Sequence, residues 1–345
     1  MRRIGLALFT TWMAAGCLPD VDVDESRITS PRILAVRSVP AEAAPGERVM
    51  LEALYVGDEG RIEESPLEWT RCDARVPLAE LGPVSPACLA WEDPLLLPIG
   101  FGAGVQATIS PDACRLFGPD PPPSMPGEPA GRVSDPDTSG GYYQPIRVVE
   151  PALDAMTFAD VRLVCGVAGA TQAQAAELRR RRKINESPSI SSVFVQREDG
   201  SDAFFGADEP LVVRANETLT LEVNWDTCPS VDVCGDGICG VDETLTLCAD
   251  DCRTPRGCSG AERYVRFDVA TRAIVEARES MRAAFFTTGG SFSIERAGRD
   301  AEDERTFASS RWQAPSEPGE SVLWVVLRDA RGGVSWTERR ALVLP

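Results

Sequence analysis

Histidine is absent from the 345 residues. That removes the usual general base, the Ser-His and Cys-His nucleophile pairs and the commonest zinc ligand. Lysine is almost absent too, and Lys183 stands alone, so Schiff-base chemistry would rest on one residue beside an arginine run. Beyond the leader, no run of about 18 apolar residues occurs, so nothing there reads as a membrane-spanning helix. Positive charge is scarce: 35 basic residues face 53 acidic ones, a net charge of −18. Nucleic acid is therefore a poor partner, and so is an anionic lipid surface. Asp/Glu chemistry survives these exclusions, but with 53 carboxylates no particular pair stands out.

The N-terminus is more explicit. Arg2 and Arg3 precede an apolar run over residues 4–15, and Ala14-Ala15-Gly16-Cys17 supplies the small residues a signal peptidase needs. This order resembles the lipobox of bacterial lipoproteins. The resemblance implies a lipoprotein signal peptide over residues 1–16, a diacylglyceryl group and an acylated amino terminus on Cys17, and a palmitate-type membrane anchor. Leu18, in the place where Asp would favour inner-membrane retention, implies sorting to the outer membrane. Without Arg2 and Arg3, 33 basic against 53 acidic residues leave −20.

Residues 17–30 are polar and acidic and read as a flexible tether. Residues 31–184 then read as a first β-sandwich. Residues 33–39 are strand-like between Pro31 and Pro40. After the Pro45-Gly46 turn, Val49, Leu51, Ala53 and Tyr55 alternate, and Trp69 follows on the next strand candidate. That plan resembles the opening of an immunoglobulin-like domain, although the second strand lacks the cysteine of the antibody pattern. Residues 73–151 hold more than half of the 27 prolines and read as long loops, with short strands expected at 104–109 and 146–150. Residues 160–167 restore core-strand alternation. Residues 170–183 are helix-prone and end in five consecutive basic residues, expected to form a solvated or carboxylate-paired face.

Residues 185–345 read as a second sandwich, with strand patterns at 190–196, 211–214, 219–225, 264–269, 281–287, 322–328 and 334–344. Residues 312–336 resemble the closing strands of bacterial Ig-like repeats. The fold class expected is therefore all-β, two Ig-like sandwiches, with a cysteine-rich insertion at 226–260 in the second. Its core, CGDGICGVDETLTLCADDC at 234–252, resembles C-G-[DN]-G-x-C repeats of secreted proteins of myxobacterial type.

With Cys17 set aside, ten cysteines remain, an even number suited to an oxidising compartment. Cys72, Cys88, Cys114 and Cys165 lie in the first half. Cys228, Cys234, Cys239, Cys248, Cys252 and Cys258 crowd into 31 residues, with no C-x-x-C knuckle and no histidine to suit zinc. Two disulfides are expected within the repeat and a third from Cys228 and Cys258. Asp236, Asp242, Glu243, Asp250 and Asp251 in the same block suggest Ca²⁺, which accepts oxygen ligands at uneven spacing, against a simple solvated acidic surface. The function expected is a lipid-anchored envelope protein with a binding or structural role, its partner another envelope protein or a polysaccharide. It is not expected to be an enzyme. The alternative is a carbohydrate-active or other Asp/Glu hydrolase using residues 73–151, where Tyr142 and Tyr143 beside Gly140-Gly141 would form a sugar platform.

Overall fold

The computed structural model describes residues 24–77, 82–119, 141–153, 155–167, 169–253 and 257–345. Cys17, the leader, residues 17–23 and Gly140 lie outside them. Strands hold 47% of the chain and helices 9%, which makes the fold all-β.

In the first sandwich, Arg48–Gly57 pairs with Arg32–Val39 on one side and Gly104–Thr108 on the other. The facing sheet runs Glu42–Ala43, Ala155–Leu163, Tyr142–Glu150, Glu68–Cys72, Leu96–Phe101. Side chains two apart share a face of a strand, so Val49, Leu51, Ala53 and Tyr55 fill the space between the sheets with Trp69 and Ile146. The Trp69 indole donates to the Gly102 carbonyl at 2.7 Å, which satisfies its one polar atom. The described part of 73–151 is richer in strands than its proline content suggests. Its strands include Leu96–Phe101 and a full-length Tyr142–Glu150, because proline is tolerated where a strand needs no ladder donor.

In the second sandwich, one sheet runs Asp202–Phe204, Ile190–Arg197, Thr218–Trp225, Phe307–Gln313, Ser291–Phe292. The other runs Leu211–Arg214, Val334–Leu344, Gly319–Arg328, Met281–Thr287, Arg296–Arg299. Trp312, Phe285, Leu323, Val325 and Leu327 lie between them. Gly319–Arg328 is buried on both faces, as its unbroken apolar run requires. Its other face, Val322, Trp324 and Val326, packs against Leu34, Leu54 and Val56 of the first sandwich. The two sandwiches thus share an apolar seam.

Three boundaries differ from the sequence reading. Residues 24–30 are not a free tether: Ile28 is buried in the seam, and its amide donates to the Thr287 carbonyl at 2.8 Å. One apolar residue in a polar run is enough to dock it. Second, the insertion does not end at 260. Arg263–Asp268, expected to rejoin the sandwich, pairs with Ala273–Arg278 in a separate two-stranded sheet, so the inserted module runs from 226 to about 280. Alternation marks a strand but not its partner. Third, the helix Gln172–Arg181, capped by Thr171 and Gln174, packs Leu178 against Val241, Val265 and Phe267 of that module. The end of the first domain thereby holds the insertion of the second.

Candidate functional site

All ten described cysteines are paired. Cys72–Cys88 and Cys114–Cys165 tie loops to the first sandwich. Cys228–Cys258 closes the base of the inserted module, and Cys234–Cys248 and Cys239–Cys252 cross within the repeat. Sulfur in a disulfide is not a thiolate, so it offers a metal little.

The crossing disulfides gather a Cys/Glu/Asp cluster. The ligand-type atoms of Cys234, Glu243, Cys248 and Asp251 lie within 4.8 Å of one another, and those of Cys239, Glu243 and Cys252 do so as well. Its oxygens come from Glu243 and Asp251, both buried. Asp251 accepts from the amides of Gly235 and Gly237, the latter at 3.0 Å, and Glu243 accepts from Gly240 at 2.8 Å. Gly235 and Gly237 sit at φ +98° and +84°, where a side chain would be strained, so the turn that aims both amides at one carboxylate needs glycine. The other three acidic residues named from the sequence do not join them. Asp236 is exposed and caps the Ile238 amide at 2.8 Å, Asp242 pairs with Arg181 at 3.1 Å, and Asp250 is exposed.

A second constellation, unmarked in the sequence, lies where the two sandwiches meet the inserted module. Arg331, on the turn after Gly319–Arg328, is 3% exposed. It donates through Nε to Glu279 at 2.6 Å and through its other fork to Glu262, and its guanidinium lies 4.7 Å from the Tyr264 ring centroid. The turn itself is fixed by Asp329, which accepts from the amides of Arg331 and Gly333, both at 2.8 Å. Burial pushes the Glu279 carboxyl up to about 8, although Arg331 opposes the shift, and burial raises Glu262 and Asp329 in the same sense. Burial would lower Arg331, but Glu279 and Glu262 outweigh it and hold the guanidinium above its ordinary value.

The basic run continues the junction. Arg181 reaches the Val241 carbonyl, Asp242 and Glu276; Arg182 reaches the buried Glu42; and Lys183 donates to the Glu243 carbonyl at 2.9 Å. Asn185 donates its amide to Glu42 at 3.1 Å and its side chain to Asp329 at 3.2 Å. Arg162 also lies on Glu42, at 3.3 Å. Successive residues of one short segment therefore clamp the first sandwich, the inserted module and the second sandwich. Burial lowers both Arg182 and Lys183 from their usual values. The run of charge was visible in the sequence; that its far end is buried was not, because the Glu42 carboxylate and the Glu243 carbonyl that Arg182 and Lys183 meet lie 60 or more residues away.

The tyrosines named for a sugar platform do not form one. Tyr142 is buried in the first core, and the Tyr143 hydroxyl accepts from Arg162 at 3.1 Å. Trp91, 62% exposed, and Phe101 do face solvent in this stretch, Trp91 beside Glu92 and Asp93.

No family profile matches the chain, and no curated protein matches it. Among solved structures it is similar to latent PorU from Porphyromonas gingivalis at 11% identity, covering 92% of this chain and 34% of that one, with a TM-score of 0.17. It is also similar to an alpha-2-macroglobulin variant from Salmonella, at 9% identity with coverage of 94% and 16% and a TM-score of 0.21. A third is the beta-glucuronidase of Parabacteroides merdae, at 7% with coverage of 90% and 25% and a TM-score of 0.18. The chain spans about a third or less of the length of each, and no residue role is carried over from them.

Proposed function

We propose that this chain is a lipid-anchored protein of the bacterial outer membrane with a binding or structural role, its partner another envelope protein or a polysaccharide. The observation that supports this reading is the cysteine inventory. Every cysteine but Cys17 is taken up in a disulfide, as an oxidising compartment favours, and Cys17 is the one that follows the small-residue cleavage motif. Radiolabelled palmitate should enter the wild type and leave Cys17→Ser unlabelled. Equal labelling of both rejects the anchor.

For the inserted module, we read the buried oxygens of Glu243 and Asp251 as the donors for Ca²⁺, a hard cation that suits carboxylates better than disulfide sulfur does. Ca²⁺ at about 100 times its Kd should then add roughly 2.7 kcal/mol of stability. Mg²⁺ at equal ionic strength should add much less, and Asp251→Asn should abolish the difference. Equal melting shifts for both ions reject the calcium reading.

A further inference from the structure

At the edge of the seam, the outer face of the second sandwich carries an arginine groove. Met281–Thr287 lies between Gly319–Arg328 and Arg296–Arg299, and the register sets Arg282 directly opposite Arg328. Two residues along, on the same face, Ala284 stands opposite Arg296 on its other side. Like charges directly opposite on neighbouring strands destabilise a sheet. Here three arginines converge around one alanine.

The space above them is a cavity of about 560 Å³, within the range of small-molecule sites, with Leu34, Ala284 and Phe286 among its walls and Arg299 at its margin. In a chain of net charge −18, Asp300 is the one acidic residue among the described residues that lines it. Among the described residues no carboxylate lies within ion-pair distance of Arg282 or Arg328. Arg328, half-buried, is held by the Leu34 carbonyl at 3.0 Å. Burial, with Arg296 adding to it, draws its guanidinium below the usual value. Arg296 meets Glu25 at 3.1 Å with both side chains exposed, a pair that costs little to exchange. Arg299 is backed by the Phe307 carbonyl at 2.8 Å and by Asp303 at 3.6 Å.

We propose that this groove binds a compact ligand carrying two or more oxyanion groups, phosphates or carboxylates, which Arg282, Arg328 and Arg296 grip while the ligand body rests on Ala284 and Phe286. Guanidinium forks match such oxygens bidentately, and a shared anion relieves the repulsion between Arg282 and Arg328.

Calorimetric titration of the full-length chain with pyrophosphate and with citrate tests this, and dihexanoyl phosphatidylglycerol, used as a monomer, distinguishes a lipid headgroup from a free ligand. At least one probe should bind one to one. Arg282 is exposed, so Arg282→Glu should fold normally and weaken binding about tenfold or more. Arg180→Glu makes the same charge change on the exposed face of the helix Gln172–Arg181, no residue of which lines the groove, and should leave affinity within about twofold. Equal weakening by both variants would reduce the effect to the general field and overturn the site, as would the absence of binding by all three probes. Asp20→Asn with Asp22→Asn covers the rival occupant. If binding appears only in that variant, the groove belongs to the chain's own acidic segment and the proposal falls.

Discussion

The second sandwich and the module inserted into it hold their shapes by different means. Between the sheets of the sandwich, Trp312, Phe285, Leu221 and Val325 make an apolar core that excludes water over its whole length. The module has Val241, Val265 and Phe267 to bury, with Leu178 borrowed from the neighbouring helix. So small an apolar cluster cannot offset the chain entropy of some fifty residues, so disulfides, buried carboxylates and the clamp at 181–185 supply the rest. Burial is non-directional and tolerates drift in sequence, whereas staples and caps depend on particular residues. The module is therefore the region whose order depends on redox state and on ionisation.

The largest effect should come from the sandwich. Trp312→Ala removes a fully buried ring and leaves the Gly289 carbonyl without its indole donor, at a cost of about 3–5 kcal/mol in denaturant unfolding. The loss should be global. A loss confined to the module would break the distinction drawn here.

Opening Cys228–Cys258 with Cys228→Ser and Cys258→Ser should cost about 2–4 kcal/mol, but locally. Hydrogen exchange should show lost protection between residues 226 and 280, while Thr218–Trp225 and Phe307–Gln313 keep theirs. Equal loss in both regions would mean that the module is part of the sandwich's cooperative unit.

Taken per pH unit, the smallest effect is that of Glu279. Glu279 is held near 8 against an ordinary 4.5, so the folded chain keeps its proton longer than the unfolded chain does. Its contribution is complete below about pH 4.5 and is lost as pH rises through 8, with a slope of at most about 1.4 kcal/mol per unit. Melting temperatures across pH 5–9 should fall for the wild type and fall less for Glu279→Gln. An unchanged slope in that variant would place the titrating group elsewhere, with Glu262 or Asp329.

The strands were legible where their pattern was local. Val49 to Tyr55 alternates with a solvent-free face because period two is a property of adjacent residues, and the strand at 322–328 was legible from its apolar run, although the sandwich that covers its second face was not. The strand at 263–268 was legible too, but its partner was not, since register depends on which surface closes over it. The candidate site divided in the same way. The spacing of CGDGIC and CADDC marked a disulfide unit, while the choice of Glu243 and Asp251 over Asp236, Asp242 and Asp250 turned on which carboxylates fold inward onto glycine amides.

By itself, then, the sequence determined the all-β class, the seat of the cysteine-rich module and the exclusion of histidine chemistry, because composition, short-range periodicity and spacing are written along the chain. The tertiary structure alone decided that Ile28 plugs the seam, that Arg331 meets Glu262 and Glu279, and that Arg282 faces Arg328. Those outcomes pair groups many residues apart, and the electrostatic character of each depends on how much water the rest of the fold removes from around it.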